Sequence, residues 1–132
     1  MTSEELRNQL IEILEHEFPL VQYKKTVLKS GNIRVSPYLP NNRKNKRWMQ
    51  LDANPEYLSI AMDHSTGDFK YTDLNNLNLT YGLNGFQSAI QIQPNNDAIN
   101  ISIFTDVPYP FSNKAFIDFL HKHYESYNKI IF

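Results

Sequence analysis

The sequence contains no cysteine, which removes disulfides, thiolate zinc sites and cysteine nucleophiles together. Glycine is scarce, at Gly31, Gly67, Gly82 and Gly85, and no Gly-rich run of the kind that cradles a nucleotide phosphate is present. A Gly-x-Ser-x-Gly nucleophile elbow is missing too, so Ser59, Ser65 and Ser88 fall in ordinary strand or turn contexts. No apolar run reaches the length of a membrane span. Met1-Thr2-Ser3-Glu4-Glu5 has neither the basic nor the apolar region of a secretory leader, so a cytoplasmic protein without membrane contact is expected. One further absence is local: Asp and Glu do not occur from Phe18 to Leu51.

That acid-free stretch holds Lys24, Lys25, Lys29, Arg34, Arg43, Lys44, Lys46 and Arg47, a net charge of +8. Residues 1–17 carry −4 and residues 52–132 carry −5, so the overall −1 conceals a chain polarised along its length. At 132 residues it has the size of one domain, 1–132, large enough to bury a core of its own. Asparagine is frequent, at 15 positions, and the pairs Asn41-Asn42, Asn75-Asn76 and Asn95-Asn96 stand between apolar runs, where a residue that tolerates left-handed backbone marks a turn.

Thr2-x-x-Glu5 fits a capping box, and Leu6, Leu10, Ile13, Leu14 and Phe18 then recur at helical spacing, predicting a first helix that ends near Glu17, before Pro19. Alternation at Val21, Tyr23, Lys25 and Val27, the turn Ser30-Gly31-Asn32, and Ile33, Val35 and Pro37 predict a hairpin. Pro40 to Arg47 is polar and aperiodic, an exposed loop. Trp48 to Ala53 and Tyr57 to Asp63 read as two antiparallel strands, with Phe69 and Tyr71 as a short extension. Thr72 to Gly82 fits a short helix better than a strand. Ser88, Ile90 and Ile92, then Ile99, Ile101 and Ile103, form a hairpin with buried isoleucines. Ser112 or Asn113 caps a last helix whose inward stripe is Phe116, Leu120, His123, Tyr124 and Tyr127. The class is therefore α+β: an antiparallel sheet of hairpins with N- and C-terminal helices and one short middle helix.

Chemistry is thin along this chain. His121 and His123, two apart on a helix, point about 200° apart and share no ion, so no metal or cofactor is expected. Asp52 or Asp63 followed by Asp68-Phe69-Lys70 loosely matches a metal-dependent nuclease pattern, with turn acids as the plainer explanation. The basic segment is the stronger lead. Lys24, Lys25, Lys29, Arg34, Arg43, Lys44, Lys46 and Arg47 on one face, with Tyr23, Tyr38 and Trp48 nearby, would neutralise phosphates and stack bases. Opposite that reading, the same cations would steer packing on the acidic first helix, across a homodimer, or on an acidic protein partner.

The order helix, antiparallel strands, short Leu74-Asn75-x-x-Asn78 helix, Phe86-Gln87-Ser88-Ala89-Ile90, Ile99-Asn100-Ile101-Ser102-Ile103 and closing helix from Asn113 to Tyr127 resembles the type III secretion chaperone-like fold, which includes bacterial sensory-transduction-regulator-type proteins. The resemblance implies a non-enzymatic protein-binding module, often dimeric; a sound core beside absent catalytic chemistry leads to the expectation of an adaptor, chaperone-like or inhibitor and immunity type. Nucleic-acid or polyanion binding through residues 24–47, with Trp48 stacking, is the alternative. A nuclease stands third.

Overall fold

A computed structural model describes residues 1–79 and 90–132. Helix α1 (Ser3–Glu17) opens on the expected capping box: the Thr2 hydroxyl accepts from Glu5 N–H at 3.1 Å, and the Glu5 carboxylate accepts from Thr2 N–H at 3.1 Å. Then come β1 (Gln22–Val27), β2 (Ile33–Tyr38), β3 (Met49–Ala53), β4 (Tyr57–Asp63), β5 (Ile90–Ile92) and β6 (Ala98–Phe104), and last α2 (Lys114–Ile131), capped by Asn113. The strands form one antiparallel sheet in the order β1-β2-β3-β4-β6-β5. The expected α+β architecture is thus the observed one.

Period-two alternation decides what each sheet face does. Leu58, Ile60 and Met62 on β4 align with Ile103, Ile101 and Ile99 on β6, and Ile60 pairs with Leu51 on β3. All seven side chains are buried, in one core with Leu6, Leu10 and Leu14 of α1 and Phe116, Leu120, Tyr127 and Ile131 of α2. Burying each such side chain contributes roughly 1.5–3 kcal/mol. The opposite face carries Lys24, Thr26, Arg34, Ser36, Gln50, Asp52, Ser59, Asp63, Asn100 and Ser102. Among the described residues, no helix covers it.

Two segments differ from expectation. The middle helix is a 3-10 helix, Tyr71–Leu77, ended by Asn78 in left-handed backbone (φ 53°), and its buried Leu74 and Leu77 stand three apart, as that tighter winding requires. Phe69 forms no strand with Tyr71. It is fully buried under α2, stacked on His123 at 5.2 Å, so the chain is drawn inward there rather than along the sheet. The part of the predicted helix from residue 80 onward, Ser88, and residues 86–89 of the resemblance lie outside the described residues.

Asparagine takes positive φ at Asn41 and Asn96, within two of the expected turn pairs, and at Asn45 and Asn78 outside them, whereas the pair Asn75-Asn76 lies within the 3-10 helix instead of a turn. The α2 stripe is broader than predicted, with Phe119, Ser126 and Ile131 also buried and Tyr124 half-buried. Ile131 ends α2 inside the core, whereas Phe132 is exposed. No helix among the described residues is long and apolar enough to cross a membrane.

Candidate functional site: a basic depression on the open sheet face

The residues of the open face are set by strand register. Lys24 pairs with Ser36, and Thr26 with Arg34, which in turn pairs with Asp52. Directly opposed side chains on one face approach closely enough to interact. Arg34 accordingly makes a two-pronged salt bridge to Asp52, with Nε and Nη2 each 2.8 Å from a carboxylate oxygen. Asp52, an acid of the nuclease pattern, is the counterion of a basic-segment arginine.

The loop between β2 and β3 folds over this face because its own side chains tie it down. Asn42 donates to Leu39 C=O at 2.7 Å, and its side-chain oxygen accepts from Lys46 N–H at 2.8 Å. From α2 the Tyr127 hydroxyl donates to Lys46 C=O and accepts from Leu39 N–H at 3.3 Å. A core residue therefore fixes the backbone that presents Lys46 and Arg47.

Together these elements enclose a depression of about 270 Å³ lined by Lys24, Arg34, Lys46 and Arg47, with Thr26, Ser36, Tyr38, Asn45 and Gln50 completing it. Gln50 is its hub. In the amide orientation its neighbours require, the Gln50 side-chain oxygen accepts from Arg47 Nε at 2.7 Å and Nη2 at 2.6 Å, and from Arg34 Nη1 at 3.3 Å. One neutral oxygen thus holds two guanidinium groups side by side. Asp52 compensates the charge of Arg34; Lys24, Lys46 and Arg47 make no ion pair within 4 Å among the described residues. Asp63 stands in the field of Lys46 and Arg47, yet burial, the larger effect, raises its carboxyl above the ordinary range and disfavours its charge.

Four of the eight predicted cations therefore converge and four do not. Lys25 follows Lys24 on β1 and points to the other face, Lys29 lies in the β1–β2 turn, and Arg43 and Lys44 stand exposed on the loop and do not line the depression. Trp48 is placed elsewhere altogether. Its ring is fully buried, edge-on to Phe18 at 5.1 Å and stacked on Tyr127 at 5.9 Å, and Nε1–H donates to His123 Nδ1 at 2.8 Å. It offers no face to a base. Tyr23 is half-buried on the helix side, its hydroxyl pushed up to about 12 by burial and by Glu15.

Asp68 and Lys70 do not meet Asp52. The Asp68 carboxylate, held below its usual range by the Ser126 hydroxyl and Lys129, accepts from both at 2.7 and 3.0 Å on the α2 side, whereas Asp52 lies on the open face. No cluster of three or more metal-ligating side chains occurs among the described residues. No family model, curated protein or solved structure matches the chain.

Proposed function

We propose that this protein is a non-enzymatic binding module that takes an extended acidic segment of a partner protein on its open sheet face, across the basic depression and along the free edge of β1. The observation that carries the reading is the paired arginines on Gln50, beside Lys24 and Lys46, with a counterion among the described residues for Arg34 alone. Like charges held together on a neutral amide are an electrostatic cost in the free protein, relieved when an anion enters.

The edge supports the same partner. Leu28 N–H bonds Asn32 C=O across the hairpin, so Gln22, Lys24 and Thr26 direct their backbone bonds to β2. The N–H and C=O groups of Tyr23, Lys25 and Val27 face outward, with no strand beside them among the described residues. An added strand there would bond its backbone to β1 and aim alternate side chains at the depression. Pairing of two β1 edges would set Lys24 and Lys25 against their own copies, which favours an acidic segment over a second copy of this chain. Such a module would serve as an adaptor, a chaperone-like protein or an inhibitor. Nucleic acid is the poorer fit: Trp48 is buried, and the Tyr38 hydroxyl is bound to Gln22 at 3.1 Å.

The test is fluorescence anisotropy with a labelled synthetic peptide alternating glutamate and threonine. The double variant Lys24→Gln/Arg47→Gln is expected to bind at least about 10-fold more weakly, since each charged hydrogen bond is worth roughly 1.5–3 kcal/mol. Lys25→Pro removes an outward N–H where an edge strand tolerates proline, and should weaken binding more than Lys25→Thr at nearly unchanged thermal stability. Equal affinity in the double variant and the parent defeats the reading. A single-stranded oligonucleotide that binds more tightly than the peptide would replace it with the nucleic-acid alternative.

A further inference from the structure

We infer that the depression is a phosphoryl subsite, built to take the dianionic phosphate of a phosphorylated side chain carried by the bound segment; this rests on the acidic-segment reading above. With Arg34 bound to Asp52, the cations of the depression left without an ion pair within 4 Å among the described residues are Lys24, Lys46 and Arg47. One carboxylate brings a single negative charge and would leave most of that excess uncompensated. A phosphate monoester brings close to two, with three acceptor oxygens.

Geometry points the same way. Arg47 spends Nε and one Nη2 hydrogen on Gln50, which orients the guanidinium and leaves Nη1 free to donate. An oriented guanidinium with lysines beside it can donate to two or three oxygens of a single group, an arrangement suited to phosphate and excessive for carboxylate. Ser36, which is buried, and Asn45 also belong to the lining.

Size and access suit the same group. At about 270 Å³ the depression lies just below the roughly 300–1,000 Å³ of sites that enclose whole small ligands, so it suits one group of a larger molecule. Lys24 and Thr26 belong to the edge strand, so the depression adjoins the outward backbone groups of Tyr23 and Lys25. A segment laid along β1 would therefore bring a side chain to it without rearrangement of the sheet.

The experiment compares three versions of the labelled glutamate–threonine peptide, identical except for phosphoserine, glutamate or serine at one central position. The phosphoserine peptide is expected to bind the parent protein about 10-fold more tightly than the glutamate peptide. That gain should disappear in Lys24→Gln/Arg47→Gln and shrink in Arg47→Lys, which keeps the charge but loses the fork. Inorganic phosphate should displace the phosphoserine peptide from the parent protein, a measurement that needs no variant. If inorganic phosphate binds but phosphoserine confers no gain, the depression takes free phosphate and the inference fails on its source. Equal affinities for phosphoserine and glutamate peptides, with binding retained, overturn the phosphoryl subsite and leave the acidic-segment reading standing. Persistence of the gain in the double variant places the phosphate elsewhere and also overturns it. No binding of any version defeats both.

Discussion

Trp48→Ala is expected to lower folding stability by about 3–5 kcal/mol, the range for truncating a large buried aromatic. The ring is the one indole of the sequence and lies where α1, α2 and the start of β3 meet, against Phe18, Tyr124 and Tyr127. Truncation would open a cavity there and leave His123 Nδ1 without its donor. Trp48→Phe, which keeps most of the ring and loses only the N–H and part of the volume, should cost about half as much or less. Urea unfolding followed by circular dichroism measures both. A loss below about 1 kcal/mol for Trp48→Ala would contradict the central place given to this side chain.

Acidification should destabilise the fold through His123. This imidazole is fully buried, accepts from Trp48 at Nδ1, and has no partner for Nε2 among the described residues. Burial first, and the charge of His64 second, hold it well below the ordinary imidazole range. In the unfolded chain it takes a proton below about pH 6.5, whereas in the folded chain it stays neutral. Its contribution is therefore complete above that pH and lost as pH falls, at up to about 1.4 kcal/mol per unit, or about 2 kcal/mol between pH 7.5 and 5. Glu17 and Asp68, whose carboxyls are held below their usual range by hydrogen bonds, lose their contributions only at lower pH. Asp63 acts in the opposite sense, because burial raises its carboxyl. His123→Gln keeps a neutral acceptor for Trp48 and isolates the effect: its stability should change less over this interval than that of the parent. Parallel pH profiles would contradict the assignment.

Much of this fold is legible along the sequence because it follows from local pattern. Alternation at Leu58, Ile60 and Met62 and at Ile99, Ile101 and Ile103 reflects a sheet with one buried face, and Thr2, Glu5 and Asn113 bond within their own helix turns. What is not legible is whatever depends on pairing between distant segments. Lys24 and Lys25 are neighbours in sequence yet occupy opposite faces, and only the register that aligns Thr26, Arg34 and Asp52 shows which arginine has a counterion. Stepping by two from Lys24 and Arg34 adds Thr26 and Ser36 to the site, in the same alternation as Tyr38, but Gln50 carries no signal of its own. The inward position of Trp48 is hidden by adjacency. The residue directly follows the basic run and stands one residue before β3, outside that strand's alternation, where contacts with both helices rather than local pattern send it inward.

Amide chemical-shift mapping of the labelled protein during titration with the glutamate–threonine peptide tests the central claim most directly, since it reports where an acidic segment binds as well as whether it binds. The account predicts the largest shifts at Lys24, Lys25, Thr26, Arg34, Ser36, Arg47 and Gln50, along the β1 edge and around the depression. Shifts confined to the surfaces of α1 or α2, with these residues unmoved, would contradict it.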